Sequence, residues 1–386
     1  MGKRLWIIGM IILLTGICVV CGWQYQKYVN VHNSKIEKSK LPYQEMAKSE
    51  REWVRDCQIS SGAILTYGKD QTVKQVNVNP YFANIAVDGL LSGKPDQSDL
   101  DMARKYMEWY FRHLNKAEDD LVNGAGTIFD YNIVYKGKGL VEEISKKTYD
   151  SADAYAGTFL KIVARYMDLT NDQEWLASWR NGLFLVSDSL LNCVGQKNVF
   201  ANQWKDEIYY SMDNCEAFAG VRSISPWLDD LAKTKSQIET AKNMAHYKDK
   251  SITLFHQAFW SNENQSYEIG FDQTQNYISF SDPDRIYPEL VCLIFPQVWE
   301  MNLSQKIGRE MYQTVCERRD WETLSYYGNE SDSTWPVFAY AGACNNDKRL
   351  VDRYLKEYGT IVEAGRGYPL HVDDSGWIIQ TCEKMI

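Results

Sequence analysis

A chain of 386 residues with 45% hydrophobic residues, 13 Trp and 25 Tyr carries enough apolar material to bury a sizeable core, which excludes a disordered protein. Its formal net charge of −9 and pI near 5.3, with no basic cluster beyond the N-terminal flank, exclude a reader of phosphate backbones, so no nucleic-acid partner is expected. The five His are scattered and the seven cysteines from Cys57 to Cys382 form no CxxC pair, so neither a metal centre nor a cofactor is expected.

The first element in chain order is an uncharged run from Leu5 to Trp23 behind Lys3 and Arg4. At ~1.5 Å per residue it makes about 28 Å of helix, enough to cross the hydrocarbon core of a bilayer. Trp6 and Trp23 stand at its ends, where interfacial aromatics belong. No A-x-A site follows, so residues 5–23 read as an uncleaved signal anchor, a single transmembrane helix with residues 1–4 cytoplasmic. Residues 24–40 then form a polar stalk and the rest lies outside the cell membrane; secretion after signal cleavage is the alternative. No Pro/Gly/Ser-rich linker or charge block divides residues 41–386, which predicts one domain.

Two kinds of segment alternate within that domain. Tyr43–Cys57, Asp99–Asn115, Asp172–Cys193, Trp227–Trp260, Ser304–Arg318 and Asn346–Glu363 each carry charges on one side and an apolar stripe on the other, as an outer helix does. The fourth is long enough to contain a break. Asn79–Leu91, Tyr149–Tyr166, Met212–Ile224, Asp284–Trp299, Asp332–Cys344 and Val372–Cys382 are poorer in charge, and most begin with Asp, Asn or Ser at an N-cap position. This alternation is a weak repeat of helix pairs and predicts an all-α fold, an (α/α)6 barrel with outer helices covering buried inner ones. Links into the inner helices are long and carry strand or turn material, as in Ser60–Val78, Leu121–Lys147, Val194–Tyr210 and Asn262–Pro283. The N-terminal ends of the inner helices are therefore the expected site.

With its Asp-led inner segments Tyr149-Asp150-Ser151-Ala152-Asp153 and Ser331-Asp332-Ser333-Thr334-Trp335-Pro336, the domain resembles the six-hairpin glycosidase superfamily. The resemblance implies acidic residues around a funnel for sugar chains and hydrolysis of a polysaccharide or oligosaccharide. Similarity to glycoside hydrolase family 8, the inverting endoglucanase and chitosanase type, is partial. Asp150 and Asp153 are three residues apart where that family's run has two, and Asn79-Pro80-Tyr81-Phe82 stands in place of its first Glu. No family 8 residue role is carried over.

Glycoside hydrolysis needs one protonated and one ionised carboxyl, ~6.5 to 9.5 Å apart for inversion or about 5 to 5.5 Å for retention. Asp150, Asp213 and Asp332 are the catalytic candidates, each at the head of an inner segment; helix capping is the competing role for each. Asp153 and Glu216, one turn beyond Asp150 and Asp213, are expected on the same helix faces as those acids, where they would bind substrate; Glu216 alternatively closes a capping box with Asp213. Tyr81, Tyr149, Tyr155, Tyr209, Trp335 and Trp377 fall at inner-segment starts, where flat rings stack on sugars; a place in the core is the alternative for each. Trp204, Asp206 and Glu207 belong to a loop at the same face, and Asp284, Glu289, Asp373 and Asp374 rank lower. His371 is the one His near this end, with a structural role expected. Two other functions stay open: a non-catalytic glycan-binding or scaffold protein of exopolysaccharide export, and a polysaccharide lyase with His371 or a Tyr as base.

Overall fold

The computed structural model of the chain describes residues 43–69, 75–137, 140–203, 208–278 and 282–386. The anchor and stalk expected over residues 5–40 lie outside the described residues, as do Trp204, Asp206 and Glu207. Among the described residues no helix is long and apolar enough to cross a membrane.

The described chain is mostly helical. In order run α1 (43–57), α2 (Pro80–Leu90), α3 (Gln97–Arg112), α4 (Ala152–Thr170), α5 (Gln173–Ser178), α6 (Arg180–Asn192), α7 (Ser211–Leu231), α8 (Lys235–Phe259), α9 (Val291–Val298), α10 (Gln305–Arg318), α11 (Val337–Cys344), α12 (Lys348–Ala364) and α13 (Val372–Met385). The apolar helices α2, α4, α7, α9, α11 and α13 pack each against the next in that order, and α13 packs back onto α2. The amphipathic helices α3, α6, α8, α10 and α12 each flank one of these. Segments rich in small and apolar residues have no side fit for solvent, so they go inside. Thus α4 buries nearly its whole length from Ala152 to Met167.

Two inner contacts are close because glycine meets backbone. A Cβ on Gly157 of α4 would lie 2.6 Å from the Glu216 carbonyl oxygen and the Ala217 Cα of α7, and one on Gly220 would lie 2.2 Å from the Gly157 carbonyl oxygen. Gly89 of α2 and Gly376 of α13 meet in the same way. A charged tie joins α2 to α4: Asp88, 2% exposed, takes Lys161 at 2.5 Å and Arg165 at 2.6 Å. Burial alone would raise its pKa, but those two cations hold it near 2.

Short strands fill the long links. β1 (Gln75–Val78), β2 (Tyr131–Gly137) and β3 (Leu140–Ser145) form an antiparallel sheet before α2 and α4. The pairs β4 (Tyr209–Tyr210) with β7 (Gly270–Phe271) and β5 (Trp260–Ser261) with β6 (Ser266–Tyr267) frame the start of α7 and the end of α8. All seven cysteines from Cys57 to Cys382 are free thiols.

Three boundaries depart from the sequence reading. α7 continues through Pro226 to Leu231, so the break expected within Trp227–Trp260 falls at 232–234, where Thr234 and Gln237 close a capping box on α8. α11 begins at Val337 rather than Asp332: Trp335 takes a positive φ of 47° and precedes Pro336, which disfavours helix at the preceding residue. α4 begins at Ala152, with Ser151 extended as its N-cap. Asp150 therefore lies outside the helix and does not share a helix face with Asp153.

Candidate active site

The N-terminal ends of all six inner helices meet around one cavity of about 290 Å³. Asn79 caps α2 through a hydrogen bond from the Phe82 N–H, Ser151 caps α4, and Asp213 sits in the first turn of α7. Tyr287 precedes α9, Pro336 is the N-cap of α11, and His371 is that of α13. Each of these residues lines the cavity.

Carboxyls concentrate on the α4 and α7 side. Asp150 is exposed and lines the cavity. Asp213 also lines it; burial first, and the nearby Asp150 charge second, raise its pKa to about 7 against an opposing hydrogen bond from Ser151. Glu216, 2% exposed, accepts the Tyr81 hydroxyl proton at 2.5 Å. Burial and the charge of Asp213 push its carboxyl well above the ordinary range. Asp153 is fully buried behind this group. Its Oδ1 lies 2.5 Å from Ser151 Oγ, its Oδ2 has no hydrogen-bond partner, and burial, then Asp213, raise its pKa strongly.

The facing side, from α11 and α13, is built differently. His371 stacks on Phe82 with centroids 4.6 Å apart, and burial lowers its pKa to about 4, leaving a neutral imidazole. Asp373 lies 3.8 Å from its Nδ1 and also lines the cavity. Burial, then Asp374, raise the pKa of Asp373. Asp374 faces inward instead, accepting the His371 N–H at 2.9 Å and the Thr334 hydroxyl at 3.0 Å. Between the two sides, Tyr287 and Trp335 stack in parallel at 4.8 Å, a ring face of the size a pyranose covers.

Of the residues singled out from sequence, Asp150, Asp213, Glu216, Tyr81, Tyr155, Trp335 and Trp377 line the cavity. Tyr155 donates to Asp130 at 3.0 Å and accepts from Asn79 at 2.9 Å. Four do not line it. Asp332 is exposed on the turn before α11, because that helix starts later than expected. Tyr149 turns to the β-side loops, donating to Asp120 at 2.6 Å and stacking on Phe129. Tyr209 is held by strand pairing and a stack on Phe271, its hydroxyl accepting the Gln196 N–H. Asp153 lies one layer behind the surface. The reading from sequence gave too little weight to His371 and Asp373, which line the cavity together with Tyr287.

Fold and site together define a mostly helical protein with an acidic, aromatic-lined cavity at one end of its inner helices. No protein-family model matches the chain, and no curated protein matches its sequence. Solved structures do match its fold. An alpha-amylase from Clostridium perfringens aligns with TM-score 0.56 at 11% identity, over 88% of this chain and 97% of that one. A glycosidase variant solved with glucose aligns with TM-score 0.54 at 11% identity, over 90% and 98%. A sugar epimerase from a ruminal bacterium aligns with TM-score 0.55 at 8% identity, over 90% and 99%.

Proposed function

We propose that the protein is a glycoside hydrolase acting on a polysaccharide or oligosaccharide, with its helices forming an (α/α)6 toroid and the acidic cavity its funnel. The observation that carries this reading is the pairing, in one cavity, of a carboxyl whose pKa is raised to about 7, Asp213, with an exposed carboxylate, Asp150. A general acid works best with a pKa near the operating pH. Asp213 then protonates the glycosidic oxygen, and Asp150 activates water or attacks the anomeric carbon. Glu216, its carboxyl also pushed toward the neutral form and oriented by Tyr81, holds a sugar hydroxyl, while the exposed ring of Tyr287, backed by Trp335, stacks on the sugar. The fold shared with an alpha-amylase and a glucose-bound glycosidase supports this reading. Residues 5–23 hold the domain outside the cell membrane, so the full chain sediments with membranes and resists carbonate extraction; release by carbonate speaks against the anchor.

The test is reducing-end release from a panel of glycans, read together with absorbance in the unsaturated-uronate band. Release without that absorbance is expected; glycan binding with no release from any member sinks the hydrolase reading in favour of a binding protein. A second reading rests on the neutral imidazole of His371 in the same cavity: proton abstraction from a sugar carbon, as in a lyase or in an epimerase such as the one sharing this fold. Solvent deuterium in recovered sugar, or the uronate absorbance, marks that chemistry.

A further inference from the structure

Ser151 stands between two carboxyls with one proton to give. Its Oγ lies 2.5 Å from Asp153 Oδ1 and 3.1 Å from Asp213 Oδ2, and it accepts the Ala154 N–H at 3.4 Å. A single hydroxyl cannot donate to both acids. Asp153 has zero exposure, and its Oδ2 is buried with no donor. An ionised carboxylate there would leave one oxygen bare in a low-dielectric interior. A neutral acid avoids that cost, since its proton sits on Oδ1 and Oδ2 becomes a carbonyl oxygen, while Oδ1 still accepts the Ala154 N–H at 2.9 Å.

We propose that Asp153 is a neutral carboxylic acid donating its proton to Ser151 Oγ, and that Ser151 in turn donates to Asp213 Oδ2 whenever Asp213 is ionised. Asp153 and Ser151 are thus positioning residues: a chain of two hydrogen bonds, running outward from the core, orients Asp213 and stabilises its anion. No bond other than O–H is rearranged, and the chain returns to its starting state once Asp213 regains a proton. Its catalytic meaning rests on the hydrolase reading above; its existence does not. Burial and the charge of Asp213 both favour the neutral form of Asp153. The other groups facing these three residues are Asp150 before α4, Glu216 and the Cys215 thiol on α7, Tyr81 on α2, Tyr287 before α9 and the Cys193 thiol. Lys161, the cation nearest Glu216, is tied to Asp88.

The chain is tested without turnover by infrared difference spectroscopy of the full-length protein and its Asp153→Asn, Ser151→Ala and Ser151→Thr variants. A protonated-carboxyl C=O band that persists in the wild type above pH 8, and that Asp153→Asn removes, is expected. In Ser151→Ala that band moves to higher frequency because the acid loses its acceptor, and in Ser151→Thr, which keeps a hydroxyl, it returns. A wild type without this band, or a Ser151→Ala spectrum with the band unmoved, overturns the proposal whatever the protein hydrolyses. On any glycan the wild type cleaves, Ser151→Ala moves the basic limb of the pH–rate profile upward, because the Asp213 anion has lost a donor. Asp153→Asn does not lower that limb, since replacing a neutral acid by an amide removes no charge from beside Asp213. A downward shift in Asp153→Asn would mean that a charge had been removed, and the chain as drawn would be wrong. An intact infrared signature with no hydrolysis of any glycan sinks the hydrolase reading alone.

Discussion

The two sides of the cavity carry acids of different standing. On the α4 and α7 side, Asp150, Asp213 and Glu216 present carboxyls to the opening, and the set is linked inward through Ser151 to Asp153. On the α11 and α13 side, Asp374 is spent on the His371 N–H and Thr334, and the titratable groups that line the cavity are His371 and Asp373. Sequence alone gives both sides the same appearance, an Asp-rich start to an apolar helix. The difference lies in where each helix begins. Ser151 caps α4 and leaves Asp150 outside in water, whereas α13 folds Asp374 back over its own first turn. A carboxyl that completes a cap has its lone pairs occupied; one just ahead of a cap is free to act.

Breaking the acidic side should have the largest effect. Asp150→Asn is expected to lower kcat by about 10² to 10⁴-fold with folding intact, the range for removing an acid or base, measured as steady-state reducing-end release. Next comes the α4–α7 crossing that brings Asp150 and Asp213 together. A methyl group at Gly157 meets α7 backbone at 2.6 Å, so Gly157→Ala forces the helices apart and should destabilise by roughly 1 to 3 kcal/mol in chemical denaturation. Gly365, open on all sides but with φ of 148°, is no control for this; Gly359, whose added methyl meets only Met46 at 3.8 Å, is, and Gly359→Ala should be neutral or stabilising by under about 1 kcal/mol. On the facing side, His371→Gln is expected to change hydrolysis by less than about tenfold; abolition with solvent deuterium exchange lost would transfer the chemistry to that side. Asp332→Asn, on an exposed turn, should leave both rate and stability within error, the smallest effect of the set.

The helical order was legible because the inner segments lack a polar side and the outer ones keep one, a contrast set by burial. The end of the molecule holding the cavity was legible too, since the long links all enter inner helices. Individual residues were less so. Asp153 and Asp150 look like a pair at helical spacing, and only the extended backbone of Ser151 separates their fates. Asp332 looked like a helix head until the left-handed turn at Trp335 and Pro336 moved the start to Val337. Tyr149 and Tyr209 sit beside the right helices, but their rings are claimed by Phe129 and Phe271 from the β links, contacts that no local pattern announces.

The central assignment is Asp213 as the acid, and the pH dependence of kcat/KM in the wild type and in Asp213→Asn tests it most directly. An acid must be protonated to act, so with its pKa raised to about 7 the contribution of Asp213 is present below that value and is lost as pH rises through it. The same elevation means that the folded state holds a proton the unfolded chain gives up, so Asp213 costs stability increasingly from about pH 4 to about pH 7, a slope that Asp213→Asn removes. The expected result is a basic limb near neutrality in the wild type, and a loss of about 10² to 10⁴-fold in the variant with no such limb remaining. A variant that hydrolyses at the wild-type rate with the same limb would contradict it.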